Sequence, residues 1–197
     1  MCYSAAMPPP LRRCPWPTPG DDLYLAYHDK EWGVPVRDDR KIYEYLVLES
    51  FQAGLSWRTV LRKRENFRHA FSNFDYQKVA RYTGRDVKRL MNDEGIIRNR
   101  QKIEASINNA KRFIEVRKEF GTFSKYMWSW VKNKPIKHHL KTAKDYPVHI
   151  EEAVAWSKDL KKRGFKFLGP TVVYAHMQAT GMVNDHVTDC FRYGRVS

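Results

Sequence analysis

Cysteine is scarce in this chain of 197 residues. Only Cys2, Cys14 and Cys190 occur, too few for a disulfide framework, and a reducing cytoplasmic setting follows as the expectation. Long apolar runs are missing too, so no membrane span is expected. The opening MCYSAAMPPPLRR lacks the apolar stretch of a secretory signal. Its three consecutive prolines make residues 1–12 read as a disordered leader, with one domain over residues 13–197. Acidic residues are in deficit, 22 Asp and Glu against 36 Lys and Arg, a formal charge of +14. A surplus that large favours a polyanionic partner, nucleic acid first. Strand alternation and internal repeats are both absent. The fold class expected is all-α.

Helical signals are plentiful. DDRKIYEYLVLESFQAG offers a cap at Asp38 or Asp39, a stop at Gly54, and apolar residues almost all round, as in a buried central helix. Ser56 can cap the next helix, with Trp57, Val60, Leu61, Phe67 and Phe71 at helical spacing. Asp75 opens a short helix, and Thr83 with Asp86 resembles a capping box. A longer helix carries Ile103, Ile107, Ala110 and Ile114. Residues 133–148, with two prolines and no period, read as a loop holding solvated His138 and His139.

His186 and Cys190 stand four apart, so on a helix they share a face. Two ligands cannot close a tetrahedral site. Cys14, the other cysteine past the leader, and His28, the nearest histidine to it, would complete a Cys₂His₂ zinc set. Four protein ligands leave no open position, so such a zinc would be structural, clipping the two chain ends together. The spacing leaves this open, since the pairs are far apart and match no standard knuckle. His176 is a further candidate on paper, but its apolar helix suggests a core position.

In LKKRGFKFLGPTVVYAHMQ, Gly164 and Gly169 permit a tight turn and Pro170 can begin a second helix. The free N–H groups at that helix start suit a phosphate, with Lys161, Lys162, Arg163 and Lys166 adding charge. The pattern is that of a helix-hairpin-helix over about residues 153–181, gripping the DNA backbone without reading bases. Gly164, Lys166, Gly169 and Thr171 are the candidate contacts. An ordinary αα-turn with solvated lysines fits the same residues.

Glu49 stands alone among apolar residues, and a buried carboxyl must be paired, hydrogen-bonded or protonated. Two roles are open to it. It can pair with an arginine, or it can line a pocket with Trp16, Tyr24, Tyr27, Trp32 and Trp57 that holds a flat, electron-poor heterocycle.

Taken together, RCPWP, LYLAYHDKEWGVP, LESFQAGLSW, VLRKRENFRHAFSNFD, GIIRNRQKI, KKRGFKFLGPTVVYAHMQATGMVNDH and the last cysteine resemble the Tag family of bacterial 3-methyladenine DNA glycosylases from Arg13 to Arg192. The resemblance implies an all-α helix-hairpin-helix glycosylase domain with a zinc clip on Cys14, His28, His186 and Cys190. It also implies Glu49 as the base-recognising acid, with Tyr27, Trp57 and Trp16 around the base and Tyr24 nearby. The implied enzyme is a hydrolase of base excision repair in the bacterial cytoplasm and nucleoid that acts on double-stranded DNA containing alkylated adenine. With Lys166 in the turn, the hairpin offers no clear lysine nucleophile, so a monofunctional enzyme is expected, and a monomer is the simplest expectation. Asp185, beside a metal ligand, is expected to act as a cap. Ser50, Phe51 and His176 depart from the family pattern and are expected to affect pocket shape or pH response. A zinc-stapled DNA-binding protein without catalysis is the competing class. It would need no acid among aromatics.

Overall fold

The structure, a computed structural model, describes residues 11–196, so most of the 1–12 leader lies outside the described residues. Among them are ten α-helices and two very short strands. The helices are α1 (Asp22–Lys30), α2 (Asp39–Gln52), α3 (Trp57–Arg62), α4 (Arg64–Ala70), α5 (Tyr76–Val79), α6 (Gly84–Met91), α7 (Arg100–Phe120), α8 (Phe123–Ser129), α9 (Glu151–Lys162) and α10 (Pro170–Ala179). None is long and apolar enough to cross a membrane.

Local capping chemistry sets most helix starts. The side chains of Asp38, Ser56 and Asp75 accept backbone N–H bonds in the first turns of α2, α3 and α5, and Thr83 with Asp86 forms the capping box of α6. The apolar period from Trp57 to Phe71 is shared by two helices, α3 and α4, which meet at Lys63.

Helix α2 is the hub. Ten consecutive residues, Ile42 to Phe51, are buried, and the helix packs on α3, α7, α8 and α10. An all-round apolar sequence belongs at such a centre. The end of α2 is held by Lys102 of α7, whose Nζ donates to the carbonyls of Phe51 (2.9 Å) and Ala53 (2.6 Å). Those carbonyls have no partner within the helix, so a buried lysine does the work of a C-cap.

Residues 133–148 contain more structure than their sequence suggests. Ile136 and Lys137 form β1, paired in parallel with β2 (Val183–Asn184), Ile136 opposite Val183. Near β2 the chain crosses residues 33–35 so closely that a Cβ on Gly181 would lie 2.5 Å from backbone atoms of Val34 and Pro35. Gly181 also has φ of +70°, so no other residue fits there without strain. This crossing brings the end of α1 against the end of α10, where Gly33 N–H donates to the Gln178 carbonyl at 3.0 Å.

Candidate base pocket and metal cluster

A cavity of about 170 Å³ opens among α1, α2, α3, α10 and the loop before α9. Its wall includes Trp16, Tyr24, Tyr27, Trp57, Tyr146 and Glu49. The rings stand at angles around the space: Tyr27 and Trp57 at 5.4 Å between centroids, Trp16 and Tyr24 at 5.1 Å, Trp16 and Trp32 at 5.0 Å. Asp21 secures this arrangement. Its carboxylate caps α1 through Tyr24 N–H and pairs with Arg58 and Arg62 of α3, tying the tyrosines to the helix that carries Trp57.

Glu49 is 4% exposed and makes no hydrogen bond or ion pair among the described residues. Burial alone raises its carboxyl from the ordinary range to about 8. Trp16 Nε1, Trp57 Nε1 and the Tyr146 hydroxyl, which belong to the same wall, are buried donors without partners. A cavity with one acid, several unpaired donors and aromatic faces is built for a flat polar guest. The arginine-pairing role open to Glu49 is not realised; Arg64 and Arg68 bond Glu44 instead.

Beside the cavity, Cys14, His28, His186 and Cys190 converge, all buried, with ligand atoms within 4.8 Å of one another. Cys14 Sγ lies 3.4 Å from His186 Nδ1, and Cys190 Sγ lies 3.5 Å from His186 Nδ1 and 3.6 Å from His28 Nε2. A tetrahedron with zinc–sulfur and zinc–nitrogen bonds of about 2.3 and 2.0 Å has sulfur–nitrogen edges of about 3.5 Å, so the donor set fits a metal ion. Partners outside the set orient both rings. His28 Nδ1 meets Asp29 at 2.7 Å, with Arg13 on the same carboxylate, and His186 Nε2 meets the Trp32 carbonyl at 3.2 Å. Bonding with Cys14, then with His186 and His28, pulls the Cys190 thiol well below its usual range, toward the thiolate a metal takes. Trp16 follows Cys14 by two residues and Tyr27 precedes His28, so the cluster also anchors two cavity walls.

Helices α9 and α10 join through a turn in which Gly164 has φ of +84° and Pro170 occupies the first position of α10. No side chain caps α10, leaving its first N–H groups free. Asn108 and Asn109 of α7 brace the turn through the Gly164 carbonyl and both backbone groups of Lys166. Lys161 and Lys166 edge a groove with Gly169 and Pro170, and Thr171 is exposed at the helix start. Arg163 is not available to an anion. Asp159 and Glu119 both bind it at 2.6 Å.

Three expectations change. Asp185 is not a cap but a buried acceptor for the Tyr174 hydroxyl, Gln178 Nε2 and His138 Nδ1. His138 is accordingly half-buried and bonded, because β1 draws it over Asp185, and exposed His139 meets the Tyr193 hydroxyl. Ser50, Phe51 and His176 stay out of the cavity wall: Ser50 donates to the Val47 carbonyl, Phe51 packs on Phe67, and His176 lies by Trp156. Four wall residues, Gln52, Tyr146, Ala175 and Gln178, carried no sequence signal. Only the 3.6-residue period could have placed Gln52 on the face of Glu49.

The methyladenine glycosylase family matches residues 16–193. The chain is 48% identical over 183 residues to DNA-3-methyladenine glycosylase 1 of Escherichia coli K12, a match spanning 93% of this chain and 97% of that one. A crystal structure of 3-methyladenine DNA glycosylase I superposes with a TM-score of 0.89 at 47% identity, over 91% of this chain and 98% of the other. A second, the Staphylococcus aureus enzyme studied for 3-methyladenine recognition, gives 0.86 at 41% identity over 88% and 93%.

Proposed function

The chain belongs to the methyladenine glycosylase family, and from that premise we propose that it hydrolyses the N-glycosidic bond of 3-methyladenine in alkylated DNA. The observation that carries the reading is the unpaired carboxyl of Glu49 in an aromatic cavity. Alkylation at N3 makes the adenine of the nucleotide cationic and weakens its bond to the sugar. Flipping such a base costs less than flipping a sound one. Once inside, its charge meets ring faces and the Glu49 carboxyl, which ionises as the cation arrives. Undamaged adenine has no charge to offer in exchange for its hydration. As the bond breaks, its electron pair goes to the base, which leaves as neutral 3-methyladenine while positive charge passes to the sugar; water adds there and loses a proton to solvent, leaving an abasic site.

Among the described residues no lysine lines the cavity to supply the amine of strand-cleaving lyase chemistry, which supports a monofunctional enzyme. The turn between α9 and α10 is the helix-hairpin-helix. Gly164, Lys166, Gly169 and Thr171, with the open N-terminus of α10, hold a backbone phosphate of the duplex. The Cys14, His28, His186 and Cys190 set takes one zinc ion, which when bound supplies a structural cross-link. The protein works as a monomer on DNA in the bacterial cytoplasm. A binding module without catalysis would have no use for a buried unpaired acid.

The test measures free 3-methyladenine released from methylated DNA by wild type and Glu49→Gln. Release by the wild type and a loss of about 100-fold in the variant are expected; no release by the wild type ends the reading. For the clip, metal analysis should give one zinc per chain, and less than half of one in Cys190→Ser.

A further inference from the structure

Gln178 projects from α10 into the wall of the same cavity. Its Nε2 donates to Asp185 Oδ2 at 2.6 Å. The Tyr174 hydroxyl shares that oxygen, and His138 Nδ1 holds the other at 2.6 Å. Asp185 is 1% exposed and surrounded by donors, so it serves purely as an acceptor. A rotated amide would set Oε1 against a carboxylate oxygen, so the orientation of Gln178 is fixed. Its main chain is fixed as well, by the Gly33 N–H on its carbonyl. With Nε2 committed, Oε1 is the free end of the amide and accepts no bond among the described residues.

We infer that Gln178, its amide oriented by Asp185, is a specificity-determining residue whose Oε1 accepts a hydrogen bond from the 6-amino group of the bound purine. The inference rests on the glycosylase reading above. With N3 methylated and N9 joined to the sugar, the only N–H donor left on adenine is that amine. It carries two hydrogens, and Glu49 and the Oε1 of Gln178 are two of the acceptors in the cavity wall, beside Gln52 and the tyrosine hydroxyls. A 6-oxo purine turns an acceptor toward the same place and leaves both wall oxygens without a donor. Such a mismatch costs more than the missing bond, because buried groups go unsatisfied. Asp185 touches no substrate. It is a positioning residue, and β1 contributes to it by delivering His138.

The test titrates the purified protein with free 3-methyladenine and free 3-methylhypoxanthine, which differ at the 6-position, following quenching of the cavity tryptophans. Wild type should prefer the amino base, and Gln178→Met should cut that preference about tenfold. Asp185→Asn should cut it about threefold, since asparagine accepts either face of the amide and frees it to turn. A purely structural role would weaken both bases alike and leave the preference intact; that result overturns the inference. Where methionine disturbs folding, Gln178→Asn withdraws the acceptor by one methylene and gives the same reading. Wild type that releases 3-methyladenine from DNA while Gln178→Met keeps its preference sinks this inference alone. Wild type that releases none sinks the parent reading.

Discussion

Helix α2 buries two glutamates five residues apart, and they live differently. Glu44, 5% exposed, bonds Arg64 at 2.6 Å, Arg68 at 2.9 Å and Lys41 at 3.2 Å. Arg64 leads the charges that outweigh its burial, and its carboxyl is held below the usual range. Glu49, equally hidden, has no such company and is pushed up to about 8. Burial of an acid therefore says little by itself. A paired one secures the fold, here by tying α2 to α4, whereas an unpaired one facing a cavity leaves the fold with a cost that a ligand can relieve.

The contrast can be broken by exchanging roles. Glu44→Gln leaves Arg64 with Glu31 as its remaining carboxylate and should lower unfolding stability by about 2 to 3 kcal/mol, read by urea titration. Glu49→Gln should lose about 100-fold in base release, near 2.7 kcal/mol of barrier, without any loss of stability. If both variants lose stability alike, the two glutamates are the same kind of residue and the distinction fails.

Acidity sharpens the comparison further. The folded state raises Glu49 from 4.5 to about 8, so its neutral form favours folding below about pH 4.5 and this advantage fades as pH climbs through 8. Thermal or urea unfolding should find Glu49→Gln level with wild type near pH 4.5 and ahead by about 2 kcal/mol at pH 7, allowing for water in the cavity. A gap that stays constant across that window would mean Glu49 is already paired.

The smallest effect concerns His176, fully buried with neither ring nitrogen bonded, but outside the cavity. Desolvation lowers it from 6.5 to about 3, so it stabilises the fold above pH 6.5 and progressively less as pH falls toward 3. His176→Phe should gain about 1 kcal/mol at pH 7, and more in acid, with base release unchanged within about twofold. An altered release rate would show that lack of a partner, without a cavity, is enough to mark a working residue.

What could be read in the sequence was local or chemically exclusive. Asp38, Ser56, Asp75 and the Thr83 box act within one helical turn, so their role is visible in the string. Cys14 and Cys190 are the only cysteines beyond the leader, which leaves few ways to build a metal set. The rest depended on distant partners. Tyr146 lies in an aperiodic loop, and nothing near it in sequence says that it closes a cavity on α2. The acceptor role of Asp185 was hidden because its donors come from elsewhere, Tyr174 and Gln178 from α10 and His138 through the pairing of β1 with β2. The single apolar period over Trp57–Phe71 hid the break at Lys63, because the buried Trp57, Val60, Leu61 and Phe67 keep helical spacing across it.

Helix α10 begins at the braced turn and reaches Gln178 two turns later, a rise of about 12 Å. One rigid rod thus joins the place where a strand would be gripped to the place where a base would be read. It acts as a ruler. Lengthening it by a single residue would turn Gln178 about 100° off the cavity and move it 1.5 Å outward, so strand grip and base reading would fall out of register together.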